Sequence, residues 1–153
     1  PLFEEAGCNI KVRNSKLKID SPNRLKPFKS VRTMPYPGFP TDAQAVMMSV
    51  ATVAKGTTVF VENIFESRYR HVEDLTRLGA NIKVANKVAV VEGVDRLFGA
   101  KVVAKELRGA AALVVASLKA EGRTEIEGIK YLERGYEDLE VVLSSLGANI
   151  RKV

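Results

Sequence analysis

Hydrophobic and polar positions alternate along the chain in two patterns, one typical of helices and one typical of strands. Residues 42–54 and 106–120 are apolar around most of a helical circumference, which predicts two long, buried helices. The β-branched run at residues 57–62 predicts a strand between them. Asn-Ser at residues 14–15 and Ala-Asn at residues 85–86 predict the turns of two β-hairpins.

The same patterns give the order of the other elements. Short helices are predicted at residues 71–78 and 135–146, preceded by loops at 63–70 and 128–134. Further strands are predicted at residues 8–13, 16–19, 28–33, 80–84, 87–91, 101–104, 124–127 and 148–153. Alternating β and α elements with hairpins between them predict an α/β fold in which mixed sheets pack against buried helices.

An internal repeat underlies this order. Three segments each end a helix on glycine and continue into a strand: E-E-A-G-C-N-I-K-V, T-R-L-G-A-N-I-K-V and S-S-L-G-A-N-I-R-K-V. Their glycines suit the left-handed position after a helix and are roughly 70 residues apart. We therefore predict a single domain over residues 1–153, with internal repeats at roughly 8–79 and 80–147. Because the chain begins and stops inside a repeated unit, we expect it to be part of a longer protein.

Composition narrows the class of protein. With 46% hydrophobic and 27% charged residues, the chain is typical of a globular domain. No apolar run reaches the length of a membrane span and the first residues do not form a signal peptide, so we expect a cytoplasmic protein with no membrane partner. The net charge of +6 fits a nucleic acid, an anionic membrane or a small anionic substrate. The basic residues are scattered, however, which favours a solvated surface for most of them.

Cysteine and histidine are too rare in this sequence to form disulfide bonds or metal sites. Cys8 and His71 are the only residues of their types, which excludes a disulfide framework and a multi-histidine site, so no metal is predicted. Cys8 lies where the next repeat has Ala80 and is predicted to be a small core residue. His71 is predicted at the surface or in loop packing.

The stiffest segment of the sequence precedes the first long helix. Pro35, Pro37 and Pro40 fix their φ angles and exclude both a helix and a central strand. Thr41 and Asp42 follow this loop at the predicted start of the helix. They predict either a simple helix cap or a carboxylate held rigidly for binding or catalysis.

Basic side chains occupy equivalent loop positions in the two repeats. Arg68 and Arg134 lie between a strand and a short helix, and Arg108 lies at the start of the second long helix. If the repeats pack side by side, these arginines and the helix N-termini converge on a surface suited to a small, highly anionic ligand. The alternatives are exposed ion pairs with the nearby glutamates, Glu66 and Glu133, and an ordinary surface position for Arg108.

At these positions the chain resembles the bacterial enolpyruvyl transferases. Four motifs carry the resemblance: P-Y-P-G-F-P-T-D-A-Q at residues 35–44, F-E-S-R-Y-R-H-V at 65–72, E-L-R-G-A-A-A-L-V-V-A at 106–116 and L-E-R-G-Y-E at 132–137. With the L-G-A-N-I repeat ends they cover nearly the whole chain in family order. The resemblance implies two similar domains, each an inside-out α/β barrel of three repeated βαβαββ units. The chain matches about two of the three units of the C-terminal domain.

The resemblance also implies a reaction. The matching motifs are most similar to those of enzymes that transfer the enolpyruvyl group of phosphoenolpyruvate to the 3′-hydroxyl of UDP-N-acetylglucosamine and release phosphate. This transfer is the first committed step of peptidoglycan synthesis, and no metal or organic cofactor is implied. The implied partners are these two substrates and the N-terminal domain of the same enzyme. The family's catalytic cysteine and a conserved lysine belong to regions absent here, so we expect the isolated chain to be inactive.

The residues that match the family's site receive implied roles. Asp42 contacts the sugar hydroxyl and accepts its proton, and Arg134 stabilises developing charge as a second catalytic residue. Ile64, through its backbone, and Phe65 lie beside the uridine. Glu106 stands where the family usually has aspartate, and its alternative role is that of an acidic residue at a helix N-terminus. The implied substrate-binding residues are Asp42, Ile64, Phe65, Arg68, Glu106, Arg108 and Arg134.

Two other functions stay open at this point. The shikimate-pathway enolpyruvyl transferase shares phosphoenolpyruvate but not the nucleotide sugar, and the P-G-F-P-T-D and E-R-G-Y-E segments favour the nucleotide-sugar enzymes. A basic nucleic-acid-binding α/β module needs clustered basic and aromatic side chains. Only 7% of the residues are aromatic, most of them in loops assigned to the site.

Overall fold

The computed structural model describes all 153 residues, Pro1–Val153. Six helices and eight strands alternate along the chain, and a 3₁₀ turn at Thr41–Ala43 precedes the second helix. In chain order the elements are α1 (Leu2–Glu5), β1 (Asn9–Arg13), β2 (Lys16–Asp20), β3 (Ser30–Arg32), α2 (Gln44–Ala51), β4 (Thr57–Val61), α3 (Val72–Arg77), β5 (Asn81–Ala85), β6 (Val88–Glu92), β7 (Lys101–Val103), α4 (Leu107–Ser117), β8 (Glu125–Glu127), α5 (Lys130–Glu133) and α6 (Leu139–Ser145).

The strands form three separate sheets. β1 and β2 form an antiparallel hairpin. A four-stranded sheet has the order β3-β4-β6-β5, in which only the β3–β4 pair is parallel. β7 and β8 form a parallel pair. Parallel neighbours need a crossover connection, and the long helices α2 and α4 supply it in the two parallel pairs.

The core lies where these two long helices pack against each other and against the sheets. Both helices are buried over most of their surface, as predicted. The hydroxyl of Ser49 on α2 donates a hydrogen bond to the carbonyl of Ala112 on α4 at 2.7 Å, which small residues on α4 permit. Met48 and Leu113 belong to a cluster of 16 buried apolar residues drawn from both halves of the chain. No helix combines the length and apolar character that crossing a bilayer requires.

Two stretches of the chain share an order of elements: a strand, a long helix, a strand and a short helix. We define the first unit as residues 30–92 and the second unit as residues 101–147. Glycines follow α1, α3 and α6 with φ angles of +100°, +95° and +97°, the left-handed conformation expected for this position. These residues are Gly7, Gly79 and Gly147.

Backbone hydrogen bonds identify equivalent positions in the two units. The N–H of Thr33, just after β3, donates to the carbonyl of Val61 at 3.0 Å. The N–H of Ala104, just after β7, donates to the carbonyl of Glu127 at 2.9 Å. Thr33 and Ala104 are therefore equivalent, as are the last residues of β4 and β8.

Two element predictions are wrong. Residues 148–153 form no strand, because no neighbouring strand supplies the backbone partners that a strand needs. Residues 128–134, predicted as a loop, contain α5, in which the N–H of Glu133 donates to the carbonyl of Ile129 at 3.0 Å. The remaining elements occur in the predicted order, although the long helices end earlier, at Ala51 and Ser117.

Candidate active site at the start of the long helices

The segments at the start of the two long helices carry residues of opposite charge, and these residues contact each other. Asp42 and Arg108 are equivalent in the repeat, each twelve residues before the alanine that follows its long helix, Ala54 or Ala120. The carboxylate of Asp42 forms an ion pair with Nε of Arg108. No side-chain hydrogen bond caps α2 or the turn before it, so the simple cap predicted for Asp42 is wrong. The Asp42 side chain is 68% exposed and accessible to a ligand.

Glu106 is the residue that caps a long helix. Its Oε2 accepts a hydrogen bond from the N–H of Arg108 at 3.0 Å, and its Oε1 accepts one from the N–H of Gly109 at 2.6 Å. A carboxylate at this place satisfies free N–H groups and interacts favourably with the helix dipole. The alternative role of Glu106 at a helix N-terminus is therefore confirmed, and the cap fixes the backbone from which Arg108 extends.

Arg68 and the capping residue Glu106 both line an open depression. The guanidinium carbon of Arg68 is 4.2 Å from the centre of the Phe65 ring, a cation–π contact that replaces the predicted ion pair with Glu66. The depression has a volume of about 220 Å³ and no hydrophobic lining residue. It is lined by Glu66, Ser67, Arg68, Arg70 and Glu106. Such a polar, open cavity suits a small charged ligand.

Arg134 adjoins the first turn of α4 through its neighbour in the chain. It directly follows α5 and is exposed, and the nearby Glu133 pairs with Lys152 instead of forming the predicted ion pair. The next residue, Gly135, lies so close to Leu107 that an added Cβ would be 2.8 Å from Cδ1 of that leucine. Because Leu107 is the first residue of α4, Arg134 is anchored beside the helix start that also carries Arg108.

The structure thus gathers the sequence-predicted residues around one helix N-terminus. Asp42 contacts Arg108 directly, Arg68 shares the depression with Glu106, and Arg134 adjoins the first turn of α4. Three guanidinium groups at a helix N-terminus can bind carboxylate and phosphate oxygens, and the exposed carboxylate of Asp42 can accept a proton. No three His, Cys, Asp or Glu side chains are arranged to hold a metal ion.

A buried carboxylate behind this surface was missed by the sequence analysis. Glu62 follows β4, is 1% exposed, and accepts four hydrogen bonds. Its Oε1 accepts from the Thr33 hydroxyl at 2.8 Å and from the N–H groups of Ile64 and Phe65 at 2.9 and 3.1 Å. Its Oε2 accepts from the hydroxyl of Thr41 at 2.9 Å. An acidic residue directly after the apolar run T-T-V-F-V was the available signal.

These hydrogen bonds determine the charge of Glu62. Burial alone would raise its pKa, but the donors from Ile64, Thr33, Thr41 and Phe65 together outweigh burial and lower the pKa. Glu62 is therefore an anion at neutral pH. Burial, assisted by the charge of Glu62, raises the pKa of Tyr69 to about 12, so its phenol keeps its proton and donates to the Lys87 carbonyl at 2.8 Å.

His71 was predicted at the surface or in loop packing, but it is 4% exposed and lies inside the protein. Neither ring nitrogen has a hydrogen-bond partner, and burial lowers its pKa to about 4, against a smaller opposing effect of Glu106. A Cβ at Gly109 would lie 3.1 Å from the His71 Cβ, so the base of the His71 side chain packs against the first turn of α4. Cys8 is buried, as predicted.

A known protein family matches most of this chain. The sequence model of the EPSP synthase family, described as 3-phosphoshikimate 1-carboxyvinyltransferase, matches residues 2–143. The chain therefore belongs to this family of enolpyruvyl transferases.

Within this family, the chain is similar to enzymes that are named for a nucleotide sugar. The chain is 49% identical over 151 residues to a UDP-N-acetylglucosamine 1-carboxyvinyltransferase 2 of Caldanaerobacter subterraneus, with 99% of the chain and 36% of that protein covered. It is 49% identical over 150 residues to the UDP-N-acetylglucosamine 1-carboxyvinyltransferase of Myxococcus xanthus, with 98% and 36% covered. The chain thus spans little more than a third of the length of these relatives.

Solved structures confirm the predicted fold class. The enolpyruvyl transferase NikO from Streptomyces tendae superposes with a TM-score of 0.87 at 30% identity, over 98% of this chain and 35% of that one. The EPSP synthase of Acinetobacter baumannii gives a TM-score of 0.58 at 16% identity, over 89% and 35% of the two chains, which shows a shared fold only. The fold is the α/β fold of enolpyruvyl transferases.

Proposed function

We propose that the chain forms part of an enzyme that transfers the enolpyruvyl group of phosphoenolpyruvate to the 3′-hydroxyl of UDP-N-acetylglucosamine and releases phosphate. The observation that supports this most directly is the meeting of Asp42 with Arg108 at the start of α4, beside Arg68 and Arg134. A donor with a carboxylate and a phosphate needs several cations, and an attacking hydroxyl needs a base. The names of the curated relatives support the same reaction.

In this proposal the three arginines bind the anionic donor. Bidentate hydrogen bonds from Arg68, Arg108 and Arg134 hold the carboxylate and phosphate and stabilise the charge that develops as phosphate leaves. Ile64 and Phe65 contact the uridine, the former through its backbone. Glu106 supports this set by fixing the first turn of α4 and lining the depression.

Asp42 is the proposed proton acceptor. The sugar hydroxyl oxygen bonds to C2 of phosphoenolpyruvate while its proton passes to the Asp42 carboxylate and C3 gains a proton, which gives a tetrahedral intermediate. Loss of phosphate from C2 and of a proton from C3 then restores the double bond. The ion pair with Arg108 holds the carboxylate beside the cation that binds the donor, so acceptor and donor are oriented together. The proton for C3 comes from outside this chain, in regions that the relatives have in addition.

The wider context is part of the same proposal. We infer a cytoplasmic enzyme of peptidoglycan synthesis, and hence of cell-wall biogenesis and cell division, in which a second, similar domain closes over this surface. Within the chain we infer a single domain with repeats at roughly 8–79 and 80–147. We infer that these 153 residues are inactive without that second domain.

Transfer to shikimate 3-phosphate is the alternative within the family. It is supported by the description of the matching family, whereas about 49% identity to nucleotide-sugar enzymes favours UDP-N-acetylglucosamine. Offering both acceptors separately to the protein at its full natural length decides between them. Phosphate release with shikimate 3-phosphate alone would overturn the proposal.

The role of Asp42 is tested by Asp42→Ala in the protein at its full natural length. Turnover is expected to fall by at least ~10²-fold, as is typical when a general base is lost. Asp20→Ala is the matched control, because Asp20 is also an exposed carboxylate in an ion pair, with Lys18 at 3.4 Å, on the distant β1–β2 hairpin. Near-normal turnover of Asp42→Ala would remove this role.

The role of Arg134 is tested by Arg134→Lys, which keeps the charge but removes the planar fork. The KM for phosphoenolpyruvate is expected to rise by more than that for UDP-N-acetylglucosamine. Arg123→Lys is the control, since Arg123 is exposed and pairs with Glu125 at 2.9 Å away from the helix start. Equal changes for both substrates would contradict the assignment.

A further inference from the structure

Glu62 connects two loops that the proposed function assigns to different parts of the substrates. One oxygen, Oε2, binds the hydroxyl of Thr41, the residue before Asp42. The other oxygen, Oε1, binds the backbone N–H groups of Ile64 and Phe65. Both loops are thus fixed to one buried side chain, although they come from opposite ends of the α2 crossover.

The second unit shows that the fold does not require this carboxylate. The residue equivalent to Glu62, directly after β8, is Gly128, and Ala104 stands in place of Thr33. A Cβ at Gly128 would lie 2.4 Å from the carbonyl oxygen of Ala104, so no side chain fits there. The following residues form α5 instead of a loop held by a side chain. The same strands and crossover therefore form without any polar network at this place.

We propose that Glu62 is a positioning residue, which holds the base Asp42 and the nucleotide-contacting backbone at Ile64 and Phe65 in a fixed relation to each other. This inference rests on the proposed function. Glu62 itself is 1% exposed, so it touches no substrate and acts only through the loops that it binds. Its effect is geometric: the bound nucleotide places the sugar hydroxyl, and Glu62 places the base where that hydroxyl arrives.

The division of its oxygens makes the two halves of the link separable. Thr41→Val removes the hydrogen bond between Glu62 and the residue next to Asp42, and leaves the bonds from Thr33, Ile64 and Phe65 intact. Glu62→Gln removes the charge that strengthens every bond in the set. Thr41→Val should therefore disturb only the position of the base Asp42. Glu62→Gln should disturb both the position of Asp42 and the binding of the nucleotide.

The experiment measures kcat and KM in the protein at its full natural length. For Thr41→Val we expect kcat to fall about tenfold, as for loss of a hydrogen bond to a charged group, while KM for UDP-N-acetylglucosamine stays within about twofold. Thr41→Ser keeps the hydroxyl and is expected to restore kcat. For Glu62→Gln we expect kcat to fall and this KM to rise by about tenfold each.

Thr58→Val is the matched control. Thr58 is fully buried in β4, and its hydroxyl accepts a hydrogen bond from the N–H of Phe28 at 3.2 Å, away from both loops. The Thr58→Val variant shows how far loss of a buried threonine hydroxyl in this sheet changes kcat by itself. A kcat of Thr41→Val equal to that of Thr58→Val, or one that Thr41→Ser does not restore, would overturn the inference. If Thr41→Val does not fold, Thr41→Ala is judged by the same criteria.

Hydrogen exchange provides a readout that does not depend on activity. The amides of Ile64 and Phe65 are expected to exchange about tenfold faster in Glu62→Gln and at unchanged rates in Thr41→Val. Unchanged exchange in Glu62→Gln would overturn the inference even if turnover falls. A wild-type protein that transfers no enolpyruvyl group to UDP-N-acetylglucosamine would instead contradict the proposed function, whatever the exchange rates show.

Discussion

In the first unit the strand β4 leads into a buried glutamate with four hydrogen bonds, whereas in the second unit the equivalent strand β8 leads into a glycine. The backbone bond between Thr33 and Val61 has its counterpart between Ala104 and Glu127, so the two units share one framework. The polar side chains Thr33 and Glu62 are additions to that framework. The repeated framework therefore forms from backbone pairing, whereas Thr33 and Glu62 have no polar counterparts in the second unit.

The units also differ in length within these 153 residues, because only the first includes a β-hairpin after its short helix. The first has a four-stranded sheet. Two residues of its short helix α3 are buried, Asp74 and Leu75. The second has a two-stranded sheet, and its short helix α6 has no buried residue. The core of this chain is therefore dominated by the first unit, and equivalent substitutions should have unequal effects.

The largest expected difference is at equivalent strand positions. Phe60 in β4 is fully buried, so Phe60→Ala should lower the free energy of unfolding by about 3–5 kcal/mol. Ile126 in β8 is only partly buried, and Ile126→Ala should cost less than half of that, about 1–2 kcal/mol. Urea unfolding of both variants measures the difference. Equal losses would show that the two units contribute equally to the core.

The next effect concerns the glycine that replaces the glutamate. Gly128 has a φ angle of +75° and lies against the Ala104 carbonyl, so Gly128→Ala should destabilise the protein by about 2–3 kcal/mol. Gly122→Ala is the control, because Gly122 has a φ angle of +85° with open space around its Cβ position, and should cost only about 1 kcal/mol. Equal costs would mean that backbone conformation alone accounts for Gly128.

A pH effect of about 2 kcal/mol is expected from His71. Its ring stays neutral in the native state down to about pH 4 but gains a proton near 6.5 in the unfolded chain. The unfolded state therefore binds more protons in this window, and stability should fall by about 2 kcal/mol between pH 6.5 and 4.5. The lowered pKa of Glu62 affects stability only below its unfolded value of 4.5.

The measurement is urea unfolding across this pH range. His71→Leu removes the titrating ring, and its stability should be nearly constant between pH 6.5 and 4.5. In the second unit the equivalent residue is the exposed Glu137, so the effect belongs to the first unit only. The same slope in His71→Leu and in the wild type would assign it to other groups.

The smallest effect is expected on α6. Val142 is 50% exposed, and Val142→Ala should change the free energy of unfolding by no more than about 0.5 kcal/mol. Thermal unfolding detects a change of this size. A loss well above 1 kcal/mol would show that α6 is packed in solution against a surface that this chain does not supply.

The sequence predicts those features that depend on periodicity and repeat position. The two long helices, the left-handed glycines and the meeting of Asp42 with Arg108 follow from apolar spacing and from the alignment of the repeats. Glu62 and the burial of His71 do not follow, because the partners of a polar side chain depend on which loops the fold brings beside it. A glutamate after a strand has the same local pattern whether solvent or four donors surround it.

The wrong element predictions have a related cause. Residues 148–153 have the composition of a strand, but strand formation depends on a neighbour that local sequence cannot report. The segment after β8 aligns with the loop after β4, but without Glu62 to hold a loop the chain turns into α5. In both places, contacts distant in sequence decide between conformations that the local pattern allows.

Asp42 and Arg108 occupy one position of a duplicated segment, and yet they carry opposite charges. Two identical copies would repel each other across the helix pair, and neither could serve a reaction that needs both a proton acceptor and an anion clamp. Under the proposed function, the difference at this single position gives one unit a proton acceptor and the other an anion-binding group. A repeat protein with the same residue at both positions would keep its fold but would lose this pairing of opposite charges.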